Sequence, residues 1–187
     1  MRITSGSARG IALKAVPGND TRPTSDMVKQ AIFNILQFEL GGRNVLDLFA
    51  GTGQLGLEAL SRGASSAVFV DKAPEALEVI RSNIQKTGFS AQSRVVKSDY
   101  KAFLSGAPKK SFDLVLLDPP YREKFVPRIL NFIETFDILS DCGIIICETA
   151  TGERMPARVG KLCLTKQYKY GSTELSVYRV SESGESQ

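Results

Sequence analysis

The chain has 187 residues, 42% hydrophobic and 24% charged, a balance that fits one domain built around one sizeable core. It contains no histidine, which excludes Ser-His-Asp and Cys-His activation of a nucleophile and removes the commonest zinc ligand. The net charge is +4, a mild surplus that favours a polyanionic partner through counterion release without requiring one.

The chain opens Met1-Arg-Ile-Thr-Ser-Gly-Ser-Ala-Arg-Gly, without the apolar stretch of a signal peptide. Nowhere does it approach the roughly 20 apolar residues that span a bilayer, so a soluble, cytoplasmic protein is expected. Arg2–Thr4 and Ile11–Val16 read as two short strands of a small hairpin around the Gly6–Gly10 turn region. Beyond Pro17-Gly18 and Arg22-Pro23, apolar groups at Met27, Val28, Ala31, Ile32, Ile35 and Leu36 follow helical spacing, with a capping residue in front. Residues 1–43 thus form an extension that carries most of the basic surplus, with Arg2, Arg9, Lys14, Arg22, Lys29 and Arg43 against Asp20, Asp26 and Glu39.

From Asn44 the pattern changes. Short runs at Val45–Phe49, Ala67–Val70, Ser93–Val96 and Phe112–Leu117 alternate with helical patterns at Leu55–Ser61, Pro74–Lys86 and Tyr100–Leu104. That alternation predicts a parallel sheet with crossover helices. A fifth strand begins over Gly143–Glu148, and Leu162–Tyr170 with Leu175–Val180 reads as a closing antiparallel pair. The expected fold is therefore α/β, doubly wound and Rossmann-like, with a seven-stranded, mostly parallel sheet ending in an antiparallel strand. Cys142, Cys147 and Cys163 are odd in number and lack C-x-x-C spacing, so neither a disulfide framework nor a metal site is expected. Residues 1–187 read as one domain, with the core at 44–180 and a small polar tail at 181–187 that frays.

The first strand runs into Val45-Leu-Asp-Leu-Phe-Ala-Gly-Thr-Gly-Gln-Leu-Gly, where a nucleotide-like cofactor binds in such folds. Gly51, Gly53 and Gly56 also satisfy G-x-G-x-x-G, so a nicotinamide-dependent oxidoreductase competes. Asp47 separates the two readings: a carboxylate just before the loop repels a pyrophosphate but attracts the ammonium group of S-adenosylmethionine. The second strand ends at Asp71, where a carboxylate accepts both ribose hydroxyls, and the third ends at Asp99, within reach of an adenine amino group. One aspartate at a strand end is as readily a helix cap or a turn residue; three in register are harder to explain that way. Phe49, Gly51, Gly53, Lys72, Tyr100 and Asp118 at the same strand ends complete the expected cofactor-binding set.

The fourth strand runs into Asp118-Pro119-Pro120-Tyr121. Two prolines fix φ and remove backbone donors, which holds the Asp118 carboxylate and the Pro119 carbonyl as a rigid pair of acceptors. Such a pair suits an exocyclic base amine, whose lone pair is delocalised until its hydrogens are held in line with the methyl donor. Tyr121 offers a ring face for a splayed base. Asp118, Pro119, Pro120 and Tyr121 are therefore the expected catalytic residues.

The segment Asp47-Leu-Phe-Ala-Gly-Thr-Gly-Gln-Leu-Gly-Leu-Glu-Ala-Leu-Ser-Arg-Gly-Ala, together with Asp118-Pro-Pro-Tyr, resembles the bacterial small-subunit ribosomal RNA guanine-N2 methyltransferases. So do the opening Arg2-Ile-Thr-Ser-Gly-Ser-Ala-Arg-Gly, the segment Arg22-Pro-Thr-Ser-Asp-Met-Val-Lys-Gln-Ala-Ile-Phe-Asn and the late Tyr170-Gly-Ser-Thr-Glu-Leu-Ser-Val-Tyr-Arg. The resemblance implies a class I methyltransferase fold, S-adenosylmethionine as cofactor, and methylation of one guanine N2 in 16S rRNA presented by the 30S subunit or an assembly intermediate. It also implies that Arg2, Arg9 and Arg22 lie near the RNA; a monomer is expected. A DNA or protein amino-methyltransferase on the same fold is the alternative; a non-enzymatic RNA-binding module would leave the acidic cofactor edge without a purpose.

Overall fold

Parallel strands need a crossover of a dozen or more residues between them, and the helical stretches separating the apolar runs supply it. The computed structural model describes residues 1–16, 26–120 and 125–181. Helix α1 (Asp26–Ile35) precedes β1 (Asn44–Asp47), α2 (Gln54–Ser61), β2 (Ser66–Asp71), α3 (Pro74–Thr87), β3 (Ser93–Lys97), α4 (Tyr100–Gly106) and β4 (Phe112–Leu117). Then come α5 (Phe125–Thr135), β5 (Leu139–Ala150), β6 (Arg158–Val159), β7 (Leu162–Tyr170) and β8 (Thr173–Val180).

The strands lie in the order β3-β2-β1-β4-β5-β8-β7-β6. The first five in that order are mutually parallel, and β8, β7 and β6 are antiparallel to their neighbours. Among the described residues the sheet thus has eight strands where the sequence predicts seven, and the expected closing antiparallel pair is β7 with β8. The extra strand, β6, is a two-residue turn partner of Leu162 and Cys163, too short to leave any alternation in the sequence. Helix α5 lies beyond the helices expected from the sequence; its Pro127 sits in the first turn, where a missing N–H costs nothing.

Alternation along the strands divides the core in two. Val45, Leu114, Leu116, Ile144 and Ile146 pack with α1, α2, α3 and the amino-terminal segment on one face. Leu46, Leu48, Val115, Leu117, Ile145 and Cys147 pack with α4 and α5 on the other. Because β1 pairs with β2 on one side and β4 on the other, the chain winds away in opposite directions from the β1–β4 seam. That reversal leaves a crevice at the carboxyl ends of the two strands. Asp47 pairs with Leu116, so Asp118, two residues further along, reaches the same rim.

The expected amino-terminal hairpin is present in short form: Arg2 and Ala12 make an antiparallel bridge, with Ile3 N–H donating to the Ile11 carbonyl at 3.0 Å and Leu13 N–H to the Met1 carbonyl at 3.2 Å. The backbone donors needed to lengthen it are used elsewhere. Thr4 and Ser5 N–H donate to the Glu58 carboxylate of α2 at 2.8 and 3.0 Å, and Ser7 N–H donates to the Ser61 carbonyl at 2.8 Å. Glu58 is fully buried and also accepts from the Thr4 hydroxyl and from Arg62 Nε. Its remaining neighbour is Lys29 of α1, fully buried, with Nζ 3.6 Å from Glu58 Oε2 and donating to the Arg2 carbonyl. Removing one partner of a buried pair strands the other charge. Glu58→Ala is therefore expected to cost about 3–5 kcal/mol, read from urea unfolding; a loss below about 1 kcal/mol would show that the hub is not what seats the segment.

Candidate active site

The glycine loop turns directly out of β1. Gly51 and Gly53 have φ of 53° and 77°, and Gly53 N–H closes the turn onto the Ala50 carbonyl before α2 begins at Gln54. Gly56 is required for close approach, because a Cβ there would lie 2.4 Å from the Phe69 ring of β2. The same residue donates its N–H to Asp47 Oδ2 at 2.9 Å, tying the strand-end carboxylate to the first turn of α2.

Asp47 is 2% exposed. Burial pushes its carboxyl up from the ordinary 3.8 to about 7; the Gly56 N–H opposes that rise, and the nearby Asp118 and Asp71 charges add to it. The site therefore holds a buried carboxylate flanked by like charges, an arrangement that a ligand cation would relieve. Asp71, half-buried, accepts from Gly51 N–H through Oδ2 and from Ala73 N–H through Oδ1, each at 2.9 Å. Each carboxylate oxygen keeps a second lone pair, leaving capacity for two hydroxyls.

Asp99 is the cap of α4: it is exposed, and its Oδ1 accepts from Lys101 N–H at 2.9 Å. The capping alternative is thus met at this position, with the second lone pairs still able to face a ligand. Lys72 is exposed. Phe49 and Tyr100 belong to an aromatic cluster at the rim, with ring centroids 5.8 Å apart, and Phe125 closes it at 5.6 Å from Phe49 and 5.2 Å from Tyr100. Burial pushes the Tyr100 hydroxyl up, which keeps it a neutral donor.

Asp118 is half-buried, Pro119 buried and Pro120 exposed. Tyr121 and Arg22 lie outside the described residues. Arg2 and Arg9 both have exposed side chains on the amino-terminal segment.

The structure brings together Asp47, Asp71 and Asp118 with the glycine loop and the aromatic rim. It adds residues that the sequence reading missed: Phe125, Glu58, Lys29 and Asn83. The last three are polar side chains inside apolar helix stripes, a signal visible in the sequence because α1, α2 and α3 place Lys29, Glu58 and Asn83 at i, i+3 and i+4 from core residues. A cavity of about 580 Å³ lies elsewhere, between α4 and the sheet, lined by Val68, Arg94, Val96, Phe103 and Phe112. It contains none of these carboxylates, so the chemistry is assigned to the β1–β4 rim.

Asp47 also sets a pH dependence of stability. Its carboxyl is raised in the folded chain, so its contribution is fully present below about pH 4 and is lost as pH rises through about 7. Asp47→Asn carries no such loss. Urea midpoints of the ligand-free proteins should therefore move in favour of the variant between about pH 4 and 7 and run parallel above that; curves parallel throughout would show that Asp47 titrates normally.

Residues 1–179 match the family described as conserved hypothetical protein 95. YlbH of Bacillus subtilis is 39% identical over 181 residues, covering 96% of this chain and 98% of that protein. "Ribosomal RNA small subunit methyltransferase D" of Escherichia coli is 31% identical over 188 residues, covering 100% of this chain and 93% of that protein. The solved structure of Escherichia coli yhhF superposes with a TM-score of 0.84 at 31% identity, covering 96% of this chain and 97% of the other. With nearly the whole chain matched in sequence and in fold, the chain belongs to the conserved hypothetical protein 95 family, whose relatives include the small-subunit ribosomal RNA methyltransferase of Escherichia coli.

Proposed function

We propose that this chain is an S-adenosylmethionine-dependent methyltransferase acting on the exocyclic N2 amine of a guanine in 16S rRNA, within the 30S subunit or an assembly intermediate. The observation that carries the reading is Asp47, buried against the glycine loop with its carboxyl pushed up to about 7. A pyrophosphate beside it would add charge of the same sign, whereas the ammonium of a methionyl group would neutralise it. The names of relatives such as the Escherichia coli enzyme support ribosomal RNA as the substrate class.

The cofactor supplies an electrophilic methyl group on a sulfonium. The chain's task is to seat the nucleophile. Asp71, already oriented by Gly51 and Ala73 N–H, offers its outward lone pairs to the ribose hydroxyls. Asp99 and Tyr100 border the adenine end, Lys72 flanks the ribose, and Phe49 supplies an apolar rim. At the other end Asp118 and the Pro119 carbonyl accept the two hydrogens of the amine, freeing its lone pair for in-line attack. Once the amine carries the methyl group it is cationic, and Asp118 or water takes its proton. Tyr121, by its place after Pro120 in the sequence, is assigned to stacking on the base. Arg2 and Arg9, both exposed, and Arg22 are assigned to contacts with the RNA backbone, and the chain acts as a monomer in the cytoplasm.

The test is methyl transfer to 30S particles lacking the modification, followed by nucleoside analysis. The expected product is N2-methylguanosine; label on another base, or on DNA or protein amines only, would replace the substrate assignment. Asp118→Ala should lower the rate of transfer by about 100-fold or more while changing S-adenosylhomocysteine affinity by no more than about threefold. An active Asp118 variant would remove the proposed seating of the amine.

A further inference from the structure

The amino-terminal segment carries the arginines expected to meet RNA, yet its own backbone is committed to the helices that flank the glycine loop. At one end, Glu58 and Ser61 of α2 hold residues 4–8. Ser61 Oγ accepts from Ala8 N–H at 3.0 Å and donates to the Ser5 carbonyl, and a Cβ on Gly6 would fall 1.7 Å from the Ser61 carbonyl oxygen. Only glycine allows the segment to lie this close to α2. At the other end, α3 takes over: Lys86 Nζ donates to the Ala12 carbonyl, and Asn83 meets Lys14.

Asn83 is fully buried. Its Oδ1 accepts from Lys14 N–H at 2.8 Å. Its Nδ2 donates to the Lys14 carbonyl at 3.1 Å and to the Thr52 carbonyl at 2.9 Å. Two of these three partners are acceptors and one is a donor, so only one orientation of the amide satisfies them all. Thr52 is the residue between Gly51 and Gly53, and its hydroxyl donates to Met1 Sδ at 3.4 Å. The back of the glycine loop is thus bound to both ends of the amino-terminal segment. The two glycines on either side of Thr52 sit in left-handed backbone and restrict the loop little by themselves.

We propose that Asn83 is a positioning residue for the cofactor loop, and that residues 1–14 form the anchor through which it acts. The segment then does more than present arginines to RNA. It fixes the Thr52 carbonyl from behind, so that the loop N–H groups and Asp47 meet the cofactor already ordered, and the cost of ordering is not charged against binding. This inference rests on the reading that the glycine loop holds S-adenosylmethionine.

The test compares the full-length native chain with Asn83→Ala and Thr87→Val by calorimetric titration of S-adenosylhomocysteine. Thr87 lies four residues along the same helix, and its hydroxyl donates only to the Asn83 and Ile84 carbonyls of α3, so its loss perturbs the helix without releasing Thr52. Asn83→Ala is expected to weaken binding about tenfold, as loss of the bonds that order the loop implies, with kcat at saturating cofactor within about twofold of native. Thr87→Val should bind as the native chain does. Native affinity in Asn83→Ala overturns the proposal, as does an equal loss in Thr87→Val, which would mean that any loosening of α3 suffices. Should Asn83→Ala not fold, Asn83→Asp keeps the acceptor for Lys14 N–H and removes the donors to Thr52 and Lys14, and the same affinity is read from it. A native chain that binds no S-adenosylhomocysteine would sink the cofactor reading itself, an outcome distinct from a native chain that binds and an Asn83 variant that binds equally.

Discussion

A carboxylate at the end of a central strand has no solvent to turn to, and the β1–β4 crevice is built around that constraint. Asp47 receives one backbone N–H, from Gly56, and faces two further carboxylates. One hydrogen bond does not offset removal from water in the company of like charges, which is why burial dominates its shift. The close packing that delivers the Gly56 N–H depends on the absence of a side chain there, since the Phe69 ring occupies the space. Strand end, glycine loop and helix start are in this way joined at one contact, and on the proposed reading the energetic cost of the buried charge favours a cationic ligand.

The amino-terminal segment is the second constraint. In a sheet-and-helix core of this kind an extension would ordinarily be free to move, but Lys29, Glu58, Ser61 and Asn83 hold this one against α2 and α3 through buried polar groups. Buried polar networks are costly when incomplete and directional when complete. The consequence is that Arg2 and Arg9 project from a backbone fixed relative to the glycine loop, so RNA held by them would approach the rim in a defined direction.

Much of this was legible in the sequence where a local rule applies. The β4 run Phe112–Leu117 was read with its observed limits, and α3 within one residue, because alternation, Pro74 and Gly88 mark the boundaries. Asp47, Asp71 and Asp118 could be picked out because strand ends in a parallel sheet share one edge. Other features depend on tertiary packing. Asp99 is indistinguishable in sequence from the cap it forms. The amino-terminal hairpin is present but shorter than its apolar runs suggest, because the Thr4 and Ser5 donors go to Glu58, fifty-odd positions away in the chain. Asn83 reads as one polar residue in an apolar stripe, and only the packed structure shows that its amide meets Thr52 and Lys14.

The central claim is that Asp47 receives the cationic end of the cofactor, and the most direct measurement is the affinity of the native chain for S-adenosylhomocysteine as a function of pH. Binding an ammonium to the ionised carboxylate displaces its proton, so affinity should rise by up to about tenfold per pH unit below about pH 6, flatten through about pH 7 and stay level above it. In Asp47→Asn the affinity should be lower and flat across that range. An affinity in the native chain that does not change with pH would contradict the assignment of Asp47 as the cation's partner, and with it the physical basis for reading the crevice as a sulfonium cofactor site.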